Sequence, residues 1–171
     1  MSLHYFKQHI LPMKDKLYRF AVRMVGDITQ AEDIVQDVLI KIWNRREDWP
    51  QIQNMEAWGI TLTKNLSIDY MRGNKRNEEL RPEEGGFQIP AWEPSPEAQL
   101  ATDDLLQRIK NAMGLLPEKQ AQVMQLRDVE GMSYQEIADA LEMPMNQVKI
   151  NLFRARQQIR EVIIKSESYG L

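Results

Sequence analysis

The segment from Pro82 to Glu97 constrains this chain more than any other. It holds four prolines, two adjacent glycines and four glutamates, and no lysine or arginine. Proline removes a backbone donor and clashes with the preceding helical turn, while glycine has the most conformational entropy to lose. Neither a helix nor a strand persists through such a stretch, so it reads as a linker, stiffened where proline is dense. It leaves residues 1–81 and 98–171 on either side, each the size of a small domain. Neither half shows the period-two alternation of a half-buried strand. The expected fold class is therefore all-α: two small helical domains joined by a Pro/Glu-rich linker.

The helical patterns are specific. Ser133 and Glu136 form a capping box, so a helix should begin at Tyr134, with Ile137, Ala138 and Leu141 on one face. Pro144 suits the start of the next helix, where a missing N–H costs nothing. Val148 and Leu152 give that second helix a buried side. Its other side carries Gln147, Lys149, Asn151, Arg154 and Arg156, long side chains able to bond base edges and phosphates. This is the pattern of a helix-turn-helix whose second helix reads DNA. The same charges would also suit a solvated face.

Upstream, apolar residues recur at helical spacing from Tyr5 to Val25, with Pro12 marking a start or a kink. Gly26-Asp27 ends the run, and Thr29 with Glu32 offers a second capping box. The next helix, Ala31 to Trp43, has a buried stripe of Ile34, Val35, Val38 and Ile42. Leu39, Ile40 and Trp43 broaden it, and Asp33, Gln36 and Asp37 edge it. So broad a surface fits burial on two sides or a docking face for another protein. Asn44 to Asn54 reads as a loop presenting Trp49, and Met55 to Arg72 as a helix with Lys64, Asn65, Asp69 and Arg72 turned outward. Lys75 and Arg76 continue the basic run. Aromatic, amide and basic groups together are what a single strand of DNA requires, with Trp49 as the stacking candidate and Trp58 assigned to the core.

Composition narrows the function. A net charge of −3 and a pI near 5.5 argue against coating nucleic acid by bulk attraction. Basic residues instead cluster around Lys41–Arg46, Lys64–Arg81 and Lys149–Arg160. The chain has no cysteine, which excludes disulfides and thiolate zinc sites. The only histidines, His4 and His9, do not share a helical face well, and no glycine loop is built to cradle phosphate. Neither catalysis nor a metal or cofactor is expected. The opening residues lack a signal-peptide core and no run approaches a membrane span, so a cytoplasmic protein with no membrane insertion is expected.

Four motifs then occur in order. Gly26-Asp27, Ala31 to Val38 and Trp43 resemble the core-polymerase-binding segment of bacterial sigma factors. Ala57-Trp58 followed by Asn65, Asp69 and Arg72 resembles the segment that handles the minus-ten promoter element. Leu116-Pro117, Leu126-Arg127, Glu130 to Tyr134 and Glu136 to Ala138 resemble the start of the family's last domain, and Lys149, Phe153, Arg154, Ala155 and Arg156 its recognition helix. Two domains and one linker match the small extracytoplasmic-function group of the sigma-70 family.

The resemblance implies a protein that binds core RNA polymerase, recognises promoter DNA and assists melting. Asp33, Gln36, Asp37, Leu39, Ile40 and Trp43 would dock on a coiled coil of the polymerase's largest subunit. Trp49, Lys64, Asn65, Asp69, Arg72, Lys75 and Arg76 would hold the unpaired minus-ten strand, an extruded base sitting between the loop and Asn65. Gln147, Lys149, Asn151, Phe153, Arg154 and Arg156 would read the minus-thirty-five element. An anti-sigma factor is an implied further partner. The rival reading is a two-domain helix-turn-helix regulator that acts without core polymerase. The chain departs from the family pattern in three places: Gln147 to Asn151 lack its hydroxyl and arginine, Ala121 replaces an arginine, and Glu142 stands where the turn often has glycine.

Overall fold

The computed structural model describes residues 1–79 and 102–169, and the linker lies outside the described residues. Among the described residues every regular element is helical. They form two compact units, residues 1–79 with Gln135–Met143, and residues 102–134 with 144–169.

The first unit begins with a helical segment that changes pitch twice. Helix α1 (Ser2–Tyr5) passes into a π turn over Phe6–Ile10 and a 3₁₀ turn over Leu11–Met13 before α2 (Lys14–Val25). Pro12 falls in the 3₁₀ turn, where its missing donor is tolerated. Gly26 closes α2 in the left-handed conformation, φ 70°, donating its N–H to Val22 O at 2.8 Å. Helix α3 (Ile28–Asn44) is capped by Asp27, whose carboxylate accepts from the Gln30 N–H at 3.0 Å. This corrects the expected cap at Thr29. Once Gly26 has reversed the chain, Asp27 is the first residue in the extended backbone that a cap needs, φ −135° and ψ 125°.

Trp49–Gln51 form a 3₁₀ turn, and Asn54 opens α4 (Met55–Glu79) by accepting from the Ala57 N–H at 2.9 Å. Helix α4 runs beyond the expected end at Arg72, since Gly73 alone does not stop a helix. Helices α2, α3 and α4 pack against one another around Ile10, Leu17, Phe20, Val35, Val38, Ile42 and Ile60, all fully buried. Lys16 Nζ meets Glu56 Oε1 at 2.9 Å, joining α2 to α4. The body of α7 (Tyr134–Leu141) belongs to this unit through polar bonds. Asn54 Nδ2 donates to Glu136 Oε2 at 3.1 Å, and Thr61 Oγ1 donates to Ala140 O at 2.7 Å.

The second unit contains α5 (Thr102–Gly114), α6 (Glu118–Met124) and α8 (Met145–Tyr169). Helices α5 and α6 both pack on α8, around Ala112, Met113, Leu116, Met124, Ala155 and Ile159. After α6 the chain widens into a π turn over Gln125–Val129, then reverses at Gly131, φ 72°. Helix α7 starts at Tyr134, as the capping box predicts. Pro144 precedes α8, and its carbonyl accepts from the amides of Gln147 and Val148 at 3.0 and 3.2 Å. Between the two helices Glu142 holds φ 54°, a conformation that suits glycine and strains a residue with a Cβ. No helix among the described residues is long and apolar enough to cross a membrane.

Candidate functional site

Helix α3 is buried on one side only. Ala31, Ile34, Val35, Val38 and Ile42 face the core. Asp33, Gln36, Asp37 and Ile40 are exposed at helical spacing on the other side, with Leu39 and Trp43 half-buried at its margin. Ile40 is 57% exposed, an apolar residue among carboxylates and an amide. A large aliphatic side chain ringed by polar groups is the composition of a protein-docking patch.

The loop after α3 departs from expectation. Trp49 does not stand exposed: it is only 8% accessible and its indole N–H is donated to Ile42 O at 3.0 Å. Its ring lies among Tyr5, Phe6 and Trp43, at centroid distances of 5.3, 6.4 and 6.1 Å. A large ring with one donor gains most where its body is buried and its N–H finds a carbonyl, and this corner offers both. Trp58, assigned to the core from sequence, is half-buried, with the Arg45 guanidinium 5.7 Å from its ring centroid.

On α4, Asn65, Asp69 and Arg72 are exposed and lie on one face through spacings of four and three. Lys64 is drawn aside: its Nζ donates to Leu141 O at 3.2 Å and lies 3.7 Å from Glu142 Oε2. Lys75 and Arg76 continue α4, and their side chains lie outside the described set.

Helix α8 presents two exposed rows. Lys149, Phe153, Arg156 and Arg160 make one, and Gln147, Ile150 and Arg154 the other. Phe153 is 68% exposed, so an aromatic face stands among cations. Asn151 departs from the predicted outer face. It is only 9% exposed and its Nδ2 donates to Gln147 O at 2.8 Å, because its position falls beside Val148 and Leu152 on the inner side. A groove of about 400 Å³ runs along the first row, lined by Tyr134, Lys149, Leu152, Phe153, Arg156, Gln157 and Arg160.

Two further residues bear on this groove, and neither was among the predicted site residues. Asp128, in the π turn, grips Arg156 with both oxygens, Oδ2 at 3.1 Å from Nε and Oδ1 at 2.5 Å from Nη2. That hydrogen bond holds the Arg156 pKa above its ordinary value. The Tyr134 ring lies between two cations, Arg127 at 4.6 Å and Lys149 at 5.9 Å from its centroid. Among the described residues no cluster of histidine and carboxylate side chains could hold a metal ion.

Residues 10–77 match the family described as Sigma-70 region 2, and residues 106–159 match Sigma-70, region 4. The chain is 33% identical over 156 residues to the ECF RNA polymerase sigma factor SigE of Mycolicibacterium smegmatis, spanning 90% of this chain and 60% of that protein's length. It is 32% identical over 146 residues to the ECF RNA polymerase sigma factor SigL of Mycobacterium tuberculosis, spanning 84% of this chain and 80% of that one. Among solved structures it resembles the sigma factor RpoE bound to the anti-sigma factor NepR from Bartonella quintana, with a TM-score of 0.78 and 27% identity. That match covers 92% of this chain and 96% of that one. Matched in both regions and across most of the length of a relative such as SigL, the chain belongs to the extracytoplasmic-function RNA polymerase sigma factors.

Proposed function

We propose that this sigma factor divides its work between residues 1–81, which grip core RNA polymerase and the opened minus-ten strand, and residues 98–171, which read the minus-thirty-five duplex. The observation that carries the reading is the two-sidedness of α3, whose inner row makes the core while its outer row of Asp33, Gln36, Asp37 and Ile40 is exposed. Leu39 and Trp43 would supply the apolar margin of the same polymerase-binding patch.

The face of Asn65, Asp69 and Arg72, flanked by Lys64, Lys75 and Arg76, combines amide and cationic groups suited to an unpaired strand. Base recognition in this reading is polar, since Trp49 is committed to the core. On α8, Lys149, Arg154 and Gln147 offer donors to base edges and phosphates, while Phe153 offers apolar contact to a thymine methyl. Arg156 reaches the same duplex from within its pair with Asp128. The family works without chemistry of its own, so we assign no catalytic residue, and its place of action is the cytoplasm, where the polymerase is. By analogy with the RpoE complex, an anti-sigma factor is a further partner.

The test is charge reversal at Asp33 and Asp37. The doubly substituted protein (Asp33→Lys, Asp37→Lys) should keep its helicity and melting temperature, because exposed positions seldom shift stability by more than about 0.5 kcal/mol. Its affinity for core polymerase should fall at least about tenfold, equivalent to about 1.4 kcal/mol. Unchanged polymerase affinity, or specific promoter binding by the free chain as tight as by the holoenzyme, would instead support a regulator acting alone.

A further inference from the structure

Asp128 is an unexpected neighbour for a helix that reads DNA. A carboxylate beside a phosphate-binding surface repels the ligand, and here it also occupies two of the five guanidinium donors of Arg156. Those two donors, Nε and Nη2, form one edge of the planar fork, the geometry with which arginine grips a phosphate or the O6/N7 edge of guanine. With that edge taken, Arg156 faces the groove beside Lys149, Phe153 and Arg160 with only its remaining donors. The Arg156 side chain is half exposed, so a phosphate could take this edge if the carboxylate were absent.

We infer that Asp128 sets the affinity and salt dependence of the duplex reader: by holding the Nε/Nη2 edge of Arg156 it withholds one strong phosphate contact, lowering sequence-blind attachment to DNA while leaving base reading to Lys149 and Arg154. This rests on the reading of α8 given above. Its logic is that phosphate contacts add affinity for every sequence equally, whereas base contacts add it for one. Withholding a sequence-blind contact therefore lowers affinity for every duplex alike and makes binding less steeply dependent on salt.

The experiment measures holoenzyme binding to its selected promoter duplex and to a random duplex of equal length across a salt series. With Asp128→Ala, binding to the random duplex should tighten several-fold, and log K should fall more steeply with log salt by about 0.9, the increment of one additional phosphate contact. Promoter affinity should rise by a similar factor, so the ratio of the two stays where it was. Asp128→Glu should restore the original slope. In an Arg156→Ala background, the Asp128→Ala change should produce no steepening. Asp128→Asn, of nearly the same volume, carries the same expectation if the alanine variant loses helicity. A purely structural strut would lower the melting temperature of these variants and leave slope and random-duplex affinity alone, and that result overturns the inference, as does steepening that persists without Arg156. Arg154→Ala separates the two levels. If it fails to weaken promoter binding, the reading of α8 falls and takes this inference with it; if it does weaken it while Asp128→Ala changes neither slope nor random-duplex affinity, only the inference falls.

Discussion

The indole N–H of Trp49 is donated to the carbonyl of Ile42, seven residues earlier, at 3.0 Å. That bond folds the end of α3 back under its own loop and seats the ring among Tyr5, Phe6 and Trp43. Trp49→Phe keeps most of the apolar volume but leaves the carbonyl without this donor, at an expected cost of about 1–2 kcal/mol. Trp49→Ala adds a cavity and should cost about 3–5 kcal/mol. Urea unfolding followed by circular dichroism checks both. A tryptophan whose role was to stack on a base would give small stability losses and a large loss of strand binding.

Glu142 adopts φ 54°, where a Cβ crowds the backbone. Glu142→Gly should relieve this and stabilise the protein by about 1 kcal/mol, net of glycine's greater freedom in the unfolded chain. The lost contact to Lys64, 3.7 Å away with the glutamate two-thirds exposed, subtracts little. A higher urea midpoint with an unchanged slope is the expected signature; a lower midpoint would mean that the Lys64 contact outweighs the strain.

Gly59 lets α4 approach α2 closely. A Cβ built there lies 2.9 Å from Met13 Cε and 3.2 Å from Leu17 Cδ2. The Met13 tip can swing away, so Gly59→Ala should be nearly neutral, the gain in helix propensity offsetting the crowding. Gly59→Val drives a branched side chain into fully buried Leu17 and should cost about 1–3 kcal/mol by thermal unfolding.

Arg23 on α2 has Nε and one terminal nitrogen buried without a hydrogen-bond partner among the described residues. Burial also lowers its pKa. A buried donor left unmade costs more than an apolar group in its place. Arg23→Met should therefore leave the melting temperature unchanged or raise it, by about 1 kcal/mol at most. A clear destabilisation would show that the guanidinium contributes to folding after all.

Much of the architecture was legible because it rests on local rules. The capping box at Ser133 marked the start of α7, the proline at 144 the approach to α8, and the apolar stripe of Ile34, Val35, Val38 and Ile42 the buried side of α3. The Thr29 cap was misplaced because two capping patterns overlap, and only the backbone reversal at Gly26 decides in favour of Asp27. Trp49 and Asn151 were misread for another reason. Each is polar or amphipathic enough for the surface; Trp49 is drawn in by a carbonyl whose position depends on the fold, and Asn151 falls beside Val148 and Leu152 on the inner side of α8. Asp128 could not have been found, since its partner lies 28 residues away and no periodicity connects them.

The one-sided burial of α3 has a further consequence. A helix whose inner row satisfies the fold leaves its outer row answerable only to whatever it touches. Residues such as Gln36 and Ile40 can drift in step with a changing counterpart without asking anything of the domain's interior, so descendants of one scaffold can exchange allegiance by a few surface replacements while their thermal tolerance stays where it was.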